Sequence, residues 1–286
     1  MTIAVTGATG HLGRIIVGKL KTRAPSDRPV ALARSTAKAA DLGVEVRAFD
    51  YSKPDTLAPA LAGVDTILLI SASEIGRRAE QHRHVIEAAK RAAVRRIIYT
   101  SLLHAERSPL SLAAEHRATE ADVKSSGISY TILRNGWYTE NHTNSIGGAL
   151  AAGAVIGSAG DGKFSTATRA DYAEAAVVTL TGKGYEGKTF ELAGDEAYTL
   201  ADFASEISRQ TGKTIGYKNL PEADYAATLA RFGLPEPIAK AVASWDVEAS
   251  RGALFDDSRQ LSALIGRPTT PLAAAVSEAL ASAPKS

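Results

Sequence analysis

The chain has 286 residues, 45% of them apolar, and can bury the core of one large domain or of a domain with an added lobe. Its 33 lysine and arginine residues nearly balance 31 aspartate and glutamate residues, and this scattered net charge of +2 does not favour nucleic acid or an anionic membrane as a partner. The absence of cysteine excludes disulfides and thiolate metal sites, and together with the absence of a secretory signal it makes the cytoplasm the expected location.

Short β-rich runs alternate with helical patterns through the first half of the chain. The predicted strands are 3–6, 29–33, 44–49, 66–70, 96–101 and 129–133, and the predicted helices begin near His11, Thr36, Pro54, Gly76 and Leu112. This alternation is typical of a parallel sheet that is covered by helices. It predicts an α/β fold of the Rossmann type, with a doubly wound parallel sheet.

The alternation loosens beyond Arg134. The pattern there predicts a helix at 170–180, a strand at 188–192, a helix at 200–210, and a mainly helical segment at 217–243 that Pro235 and Pro237 interrupt. We therefore predict a Rossmann domain at 1–135, to which some later segments return, and a smaller C-terminal α/β lobe at 136–286.

A glycine-rich turn, which runs from Thr6 to Gly13 and includes Thr9, joins the first predicted strand to the first helix. Without Cβ atoms, Gly7, Gly10 and Gly13 let the chain turn tightly and bring its N–H groups close to a pyrophosphate. The helix N-terminus adds free N–H groups and the positive end of its dipole. The turn therefore predicts a bound dinucleotide, and the alternative is an ordinary tight turn.

The end of the second strand indicates which dinucleotide binds. A site for NAD usually has an acidic residue about 20 residues past the turn, where it holds the ribose 2′-hydroxyl. This strand ends instead in Arg34, whose guanidinium can pair with the 2′-phosphate of NADP(H), and Lys38 can add to the positive field. The alternative is a solvated basic residue. Asp50 and Tyr51 follow the third strand, where an adenine would lie or where a plain turn is formed.

The carboxyl ends of the next three strands are candidates for the nicotinamide and substrate side, because ligands of open α/β sheets bind at that edge. Hydroxyl and amide groups there can bind the nicotinamide carboxamide or a substrate carbonyl, and the alternative for each serine is strand capping. The candidates are Ser71, Ala72 and Ser73; Thr100, Ser101 and Leu102; and Arg134, Asn135, Gly136, Trp137 and Tyr138.

No tyrosine in the sequence is followed four residues later by the lysine that many carbonyl-reducing short-chain enzymes use. The corresponding helix offers His116 and Glu120 instead. A histidine can donate a proton near neutral pH, and the alternative is a surface histidine on an amphipathic helix.

Because the sequence shows no acid that would be held in a fixed geometry, the substrate that accepts the hydride should do so readily and take its proton from water. Quinones do so, because reduction restores aromaticity. Trp137 and Tyr138 could form one side of a flat slot for such a ring, or they could be core aromatics. His82 and His84 lie two residues apart on a helix and make a poor metal site, so we predict no metal.

Several runs of residues together resemble the NmrA-like branch of the atypical short-chain dehydrogenase/reductase family, over nearly the whole chain. The marks of the resemblance are Thr-Gly-Ala-Thr-Gly-His-Leu-Gly from Thr6, Leu-Leu-Ile-Ser-Ala-Ser-Glu from Leu68, Tyr-Thr-Ser-Leu-Leu-His from Tyr99, Arg-Asn-Gly-Trp-Tyr-Thr-Glu-Asn from Arg134, Ala-Gly-Asp-Gly-Lys from Ala159, Ala-Thr-Arg-Ala-Asp-Tyr-Ala from Ala167, Glu-Leu-Ala-Gly-Asp from Glu191 and Leu-Phe-Asp-Asp-Ser from Leu254. The Asn-Gly-Trp-Tyr and Leu-Phe-Asp-Asp-Ser runs are far more specific than the glycine turn.

The resemblance implies an NADPH-dependent two-electron reductase of quinones without flavin, with the nicotinamide between the Rossmann part and the smaller lobe. Carried over by position, the pyrophosphate residues are Gly7, Gly10, His11 and Leu12, the 2′-phosphate residue is Arg34, and the nicotinamide and substrate residues are Ser71, Tyr99, Thr100, Ser101 and Asn135 to Tyr138. Asn141 and Arg169 are weaker candidates.

Two functions therefore stay open for the sequence. The first is an NAD(P)H:quinone oxidoreductase, with His116, Asn135 and Tyr138 as catalytic candidates and a small quinone as substrate. The second is an NADP(H)-binding redox sensor of the NmrA-like type that does not turn the cofactor over. Reduction of another activated double bond is a third reading, which would favour a lysine near His116, and the nearest is Lys124. A homodimer is expected only on general grounds, because twofold dimers are the commonest oligomers.

Overall fold

Seven parallel strands form the main sheet of this computed structural model, which describes residues 1–282. The strands of the chain are β1 (Thr2–Val5), β2 (Arg28–Ala33), β3 (Glu45–Ala48), β4 (Thr66–Leu69), β5 (Arg96–Leu102), β6 (Ser129–Asn135), β7 (Ala154–Gly157), β8 (Lys188–Leu192) and β9 (Gly216–Asn219). The order in the sheet is β3-β2-β1-β4-β5-β6-β8, with every neighbouring pair parallel. The predicted Rossmann-type α/β fold is confirmed.

The helices that accompany this sheet belong to two packing groups. They are α1 (His11–Arg23), α2 (Leu57–Ala60), α3 (Arg78–Arg91), α4 (Ala113–Ser125) and α7 (Arg169–Thr181). Helix α1 packs on α7, whereas α3 packs on α2 and α4. Every second residue of the central strands, such as Ile67 and Leu69, joins a buried cluster with Val85 and Ile86 of α3. Burial on both faces explains why β1 and β4 are almost wholly apolar.

The described residues divide into two compact units. Within the described residues, unit 1 contains residues 1–106, 112–135 and 169–192, and unit 2 contains residues 107–111, 136–168 and 193–282. Helix α7 and strand β8 are therefore parts of unit 1, although they follow Arg134 in the chain. Strand β8 is an edge strand of the sheet and pairs with β6. In this pair, Thr131 to Asn135 lie in register with Lys188 to Leu192.

Unit 2 is built mainly from helices around a small parallel pair of strands, β7 and β9. Its helices are α5 (Glu140–Thr143), α6 (Ile146–Ala152), α8 (Leu200–Thr211), α9 (Glu222–Arg231), α10 (Glu236–Ser250), α11 (Gln260–Ile265) and α12 (Leu272–Ser282). No helix within residues 1–282 is both long and apolar enough to cross a membrane.

Some sequence-based boundaries were wrong, for reasons of local chemistry. The helix predicted near Thr36 is a 3₁₀ helix, Ala37–Leu42, and the one near Pro54 is a short 3₁₀ turn that leads into α2. The segment predicted as helical from residue 217 begins with β9. Pro237 lies in the first turn of α10, where a missing N–H costs no helical hydrogen bond, so it starts that helix instead of interrupting it.

Candidate active site

The glycine turn forms a close contact between β1 and the start of α1. Gly7 adopts a φ of +58°, which favours glycine, and its carbonyl oxygen accepts a hydrogen bond from the Gly10 N–H at 2.9 Å. A Cβ at Gly13 would overlap that carbonyl oxygen and lie 2.9 Å from the Cα of Ala8. Gly13 is therefore required for packing, and α1 begins beside the turn at His11.

A cavity of about 270 Å³ in unit 1 lies at the carboxyl edge of the sheet, and we call it the sheet-edge cavity. The predicted cofactor residues that line it are Gly7, Thr9, Gly10, Arg34, Asp50, Tyr51, Ser71, Ala72 and Ser73. Leu32, Ala33, Phe49, Ile70, Glu74 and Gln81 also line it and were not assigned from the sequence. The cavity thus collects the ends of four strands in one place.

Tyr51 joins three of these strand ends. Its hydroxyl lies 2.5 Å from the Thr6 Oγ1 atom and 2.9 Å from the Ile70 carbonyl oxygen, while the Ile70 N–H donates to Thr6 Oγ1. Burial raises the pKa of the Tyr51 hydroxyl, which stays protonated. These hydrogen bonds consequently hold the side chain of Tyr51 in place where it lines the sheet-edge cavity.

A charged cluster lies at the rim of the same cavity. The Arg34 Nη1 atom is 3.3 Å from the Glu74 Oε1 atom. Gln81 donates from Nε2 to Glu74 Oε2 at 2.8 Å and to Ser52 Oγ at 3.0 Å. Among residues 1–282, the Oε1 atom of Gln81 is buried and has no hydrogen-bond partner, so this amide has an acceptor to offer a ligand.

Eleven predicted cofactor residues do not line the sheet-edge cavity, and four of them, His11, Leu12, Gly13 and Lys38, come from the phosphate side of the predicted site. His11 is exposed at the first residue of α1, and Leu12 and Gly13 are buried by packing. Lys38 is exposed in the 3₁₀ helix after β2, and its carbonyl oxygen accepts a hydrogen bond from Arg14. Any contribution of Lys38 to the cavity is therefore electrostatic.

His82 holds the segment after β4 in position. Its Nε2 atom accepts a hydrogen bond from the Ala72 N–H at 2.9 Å, and its Nδ1 atom is 3.0 Å from the Thr119 hydroxyl. Burial, with the charges of His116 and Arg78, lowers the pKa of His82 to about 3, so the ring is neutral and able to accept. Within residues 1–282, no group of three or more metal-ligating side chains could hold a metal ion.

Tyr99 and His116 form a buried pair in the core of unit 1. The Tyr99 side chain is wholly buried, and its hydroxyl is 2.7 Å from the His116 Nδ1 atom. His116 is only 5% exposed, so the surface alternative for this histidine is wrong. Burial and the charge of Arg78 lower the pKa of His116 to about 3, although Glu120 opposes the shift. Neither side chain lines the sheet-edge cavity.

Ser101 and Arg134 belong to a buried ion-pair network. Arg134 pairs with Glu120 through Nε and Nη2 at 2.8 and 2.7 Å, with Glu191 at 2.8 Å and with Glu106 at 2.9 Å. The Ser101 hydroxyl donates to Glu120 at 2.6 Å. Burial alone would raise the pKa of Glu120, but the hydrogen bonds from Arg134 and Ser101 outweigh it and lower the pKa. The hydroxyl of Ser101 thus has a structural partner.

Thr100 also has a structural contact, because its Oγ1 atom accepts the Ser71 N–H at 2.9 Å. Asn135 differs from both of these residues. It is only 6% exposed, and its side-chain Oδ1 atom has no hydrogen-bond partner within the described chain. Its backbone carbonyl accepts the Leu103 N–H at 2.9 Å. Asn135 therefore presents a buried, unsatisfied acceptor at the end of β6.

Trp137 and Tyr138 follow at the start of a segment of unit 2. Trp137 packs edge to face on Trp245, with ring centroids 5.8 Å apart. The Trp245 Nε1–H donates to the Ser111 hydroxyl at 2.9 Å. Tyr138 forms an isolated bridge with Ala167, and Gly136, Trp137 and Tyr138 are all half-buried.

Unit 2 contains a larger cavity of about 670 Å³, which we call the unit 2 cavity. Its apolar lining includes Ala149, Val155, Ile156, Leu200, Phe203 and Leu229, and its polar lining includes Asn141, His142, Tyr225 and Asp246. The Asp246 carboxylate accepts the Ser158 N–H at 2.9 Å. Burial raises the pKa of Asp246 to about 6 and lowers that of His142 to about 4, so near pH 7 the histidine is neutral while the carboxyl is largely ionised.

Comparisons with known proteins agree with this geometry. Quinone oxidoreductase 2 of Escherichia coli is 54% identical over 278 residues, covering 96% of this chain and 97% of the relative. The structure of the NADPH-dependent quinone oxidoreductase QOR2 from Escherichia coli complexed with NADPH is 53% identical, with a TM-score of 0.94 and coverage of 97% and 99%.

A second solved structure, the Citrobacter sp. triphenylmethane reductase complexed with NADP(H), is 36% identical with a TM-score of 0.93 and covers 97% of this chain and 99% of that one. The sequence profile described as NAD(P)H-binding matches residues 7–182. These findings confirm the resemblance on which the sequence analysis relied. The chain therefore belongs to the NAD(P)H-binding family.

Proposed function

We propose that this protein is an NADPH-dependent quinone oxidoreductase of the cytoplasm, which reduces quinones by two electrons without flavin. The observation that carries the proposal is the 54% identity to quinone oxidoreductase 2 of Escherichia coli over 96% of this chain. The chemistry of the acceptor fits the chain, because a quinone needs no acid of fixed geometry and no tyrosine here has the lysine partner of other short-chain reductases.

The sheet-edge cavity supports the assignment of the residues that would bind NADPH. The turn at Gly7 and Gly10 lines the cavity beside the start of α1, whose N-terminal N–H groups and positive dipole end suit the pyrophosphate. The planar guanidinium of Arg34 can pair bidentately with two oxygens of the doubly charged 2′-phosphate. Asp50 and Tyr51 line the same cavity and are proposed to contact the adenine.

The proposed role of Asn135 is to orient the nicotinamide. Its unsatisfied Oδ1 atom is an acceptor for the amide N–H of the carboxamide group, and pairing would remove the cost of a buried polar atom. When bound, NADPH supplies a hydride to the quinone, which then takes up one proton to become the hydroquinone. Fixing the geometry of the two partners lowers such a barrier by up to about 7 to 11 kcal/mol.

The source of that proton is proposed to be solvent, with Tyr138 as a hydrogen-bond donor to the quinone oxygen. His116, the other candidate, is a neutral imidazole at pH 7 because burial holds its pKa near about 3. Its Nδ1 atom is also engaged by the Tyr99 hydroxyl. This environment suits a structural role in the core better than proton donation.

The unit 2 cavity is proposed to accept the apolar body of the quinone. Its volume of about 670 Å³ is within the range of roughly 300 to 1,000 Å³ that is usual for small-molecule sites. Its lining is mostly aliphatic and aromatic, and a neutral, flat acceptor can enter it without losing strong solvation. A sensor that only bound NADP(H) would have no need of such a cavity.

The test is a steady-state assay of NADPH oxidation with a series of benzoquinones, run against the protein-free reaction. We expect turnover above background with hydroquinone as product, and no change when flavin is added. Tight NADPH binding without turnover across the series would contradict the proposal and favour the redox sensor. Sedimentation of the same preparation tests whether the active species is a homodimer.

A further inference from the structure

Arg34 has an acidic neighbour at the rim of the sheet-edge cavity. The Arg34 side chain is 71% exposed at the end of β2, and its Nη1 atom is 3.3 Å from Glu74 Oε1. Glu74 belongs to the segment after β4, and both residues line the cavity that contains the glycine turn. Any group that approaches Arg34 from inside this cavity therefore also meets a carboxylate.

A second contact holds the Glu74 carboxylate in position. Its second oxygen, Oε2, accepts a hydrogen bond from Gln81 Nε2 at 2.8 Å, and the Gln81 side chain is only 3% exposed. The same Nε2 atom donates to Ser52 at 3.0 Å, which ties Gln81 to the turn after β3. Glu74, whose side chain is 40% exposed, is thus tied to unit 1 by Gln81; its Oε2 atom also lies 3.6 Å from Arg77 Nη1, and its Oε1 atom faces Arg34.

This arrangement supplies an acid that the sequence pattern lacks. Sites for NAD use a carboxylate at the end of the second strand to accept the ribose 2′-hydroxyl, and here that position is Arg34. Glu74 brings a carboxylate to the same corner from the loop after β4. A guanidinium and a carboxylate therefore stand together, one suited to a phosphate and the other to a hydroxyl.

We propose that Glu74 sets the cofactor specificity of this site, because its carboxylate accepts the 2′-hydroxyl of NADH and weakens the hold of Arg34 on the 2′-phosphate of NADPH. This inference rests on the proposed function, in which Arg34 binds the 2′-phosphate. It predicts a site that admits both dinucleotides with a moderate preference for NADPH.

The test uses equilibrium calorimetry with two fragments that lack nicotinamide, ADP-ribose and 2′-phospho-ADP-ribose, so that turnover plays no part. In Glu74→Gln the affinity for 2′-phospho-ADP-ribose should rise up to about fivefold, the size of an exposed ion pair. The affinity for ADP-ribose should fall about fivefold or more, because a charge-assisted hydrogen bond is lost. The ratio of the two dissociation constants should then shift by about fivefold or more.

Two further variants serve as matched controls. Glu80→Gln removes the same charge from an exposed position on α3 outside the cavity and should leave the ratio unchanged. Glu74→Asp keeps the charge and should restore part of the preference for ADP-ribose. An unchanged ratio in Glu74→Gln, or an equal shift in Glu80→Gln, would overturn the proposal.

The variant Arg34→Ala separates the proposed role of Glu74 from the proposal on which it rests, namely that Arg34 binds the 2′-phosphate. It should weaken 2′-phospho-ADP-ribose about tenfold to a hundredfold and leave ADP-ribose nearly unchanged. If Arg34→Ala weakens both fragments equally, the assignment of the 2′-phosphate is wrong, and the role of Glu74 is lost with it. If Arg34→Ala discriminates and Glu74→Gln does not, only the role of Glu74 is wrong.

Discussion

The two cavities of the molecule differ in how the chain builds them. The sheet-edge cavity of unit 1 measures about 270 Å³ and is lined by short consecutive runs at strand ends, with Arg34, Asp50 and Glu74 among them. The unit 2 cavity measures about 670 Å³ and draws its lining from separate helices and β7, with Asp246 as its carboxylate. Charge and backbone geometry define the first cavity, whereas apolar area defines the second.

A cavity made by strand ends is held by the sheet and can be predicted from short sequence motifs. A cavity made by separate helices has no such motif and is not strongly polar. The two cavities should therefore respond to different changes, the first to packing at the glycine turn and the second to the charge of a buried carboxyl.

The largest expected effect is that of Gly13→Ala, which should damage the sheet-edge cavity alone. The new Cβ would overlap the Gly7 carbonyl oxygen, so the start of α1 must move away from the turn. We expect NADPH to bind at least about tenfold more weakly and the free energy of unfolding to fall by about 1 to 3 kcal/mol. Calorimetry and urea denaturation measure the two quantities.

The matched control is Gly18→Ala in the same helix, because no described residue outside the helix backbone lies within 4 Å of a Cβ at that position. It should stabilise the protein by up to about 1 kcal/mol and leave NADPH binding unchanged. Equal losses of binding in the two variants would show that the turn is not packed as described.

The next prediction concerns the stability of the protein and its dependence on pH, through Asp246 in the lining of the unit 2 cavity. Burial raises the pKa of Asp246 from 3.8 to about 6, so the folded chain binds this proton more tightly than the unfolded chain. Its contribution to stability is therefore fully present below about pH 4 and is lost as the pH rises through about 6. Asp246→Asn removes the penalty of a buried charge and retains an oxygen for the Ser158 N–H.

We expect Asp246→Asn to raise the free energy of unfolding by about 1 to 3 kcal/mol near pH 7.5 and by almost nothing near pH 4. Urea denaturation at the two pH values gives the comparison, with the exposed Asp257→Asn as control. A gain that is equal at both pH values would mean that Asp246 does not titrate in this range.

The smallest expected effect is that of His116→Gln on turnover, because His116 lines neither cavity. Burial lowers its pKa to about 3, so near neutral pH the ring is a neutral imidazole, which is too weak an acid to protonate the substrate. The value of kcat should fall less than about tenfold, far below the 10²- to 10⁴-fold typical of a general acid. A loss in that larger range, with an unchanged melting temperature, would make His116 the proton donor.

Much of unit 1 could be predicted from sequence because its signals are local. A strand, three spaced glycines and a helix follow one another directly, and strand ends converge in any parallel sheet. Glu74 and Gln81 were missed because their partners, Arg34 and Ser52, are brought close only by the order of strands in the sheet. Glu74 did lie in a run that marked the family resemblance, but nothing in that run indicated its neighbour.

Burial was the second property that the sequence could not supply. His116 and Ser101 have side chains that suit catalysis. Only the structure shows that His116 is hydrogen-bonded to Tyr99 and that Ser101 is hydrogen-bonded to Glu120. The same holds for Asp246, whose pKa follows from the apolar residues around it. No periodic pattern along the chain identifies these neighbours.

The return of the chain to unit 1 has a consequence for folding. Connections between the units follow residues 106, 111, 135, 168 and 192, so neither unit is a continuous piece of chain. Strand β6 gains its outer partner, β8, only after more than 50 further residues have been synthesised, and until then it is an open edge that can pair with other chains. A fragment that stops at residue 135 would keep the glycine turn yet expose that edge, and the late pairing makes folding slow.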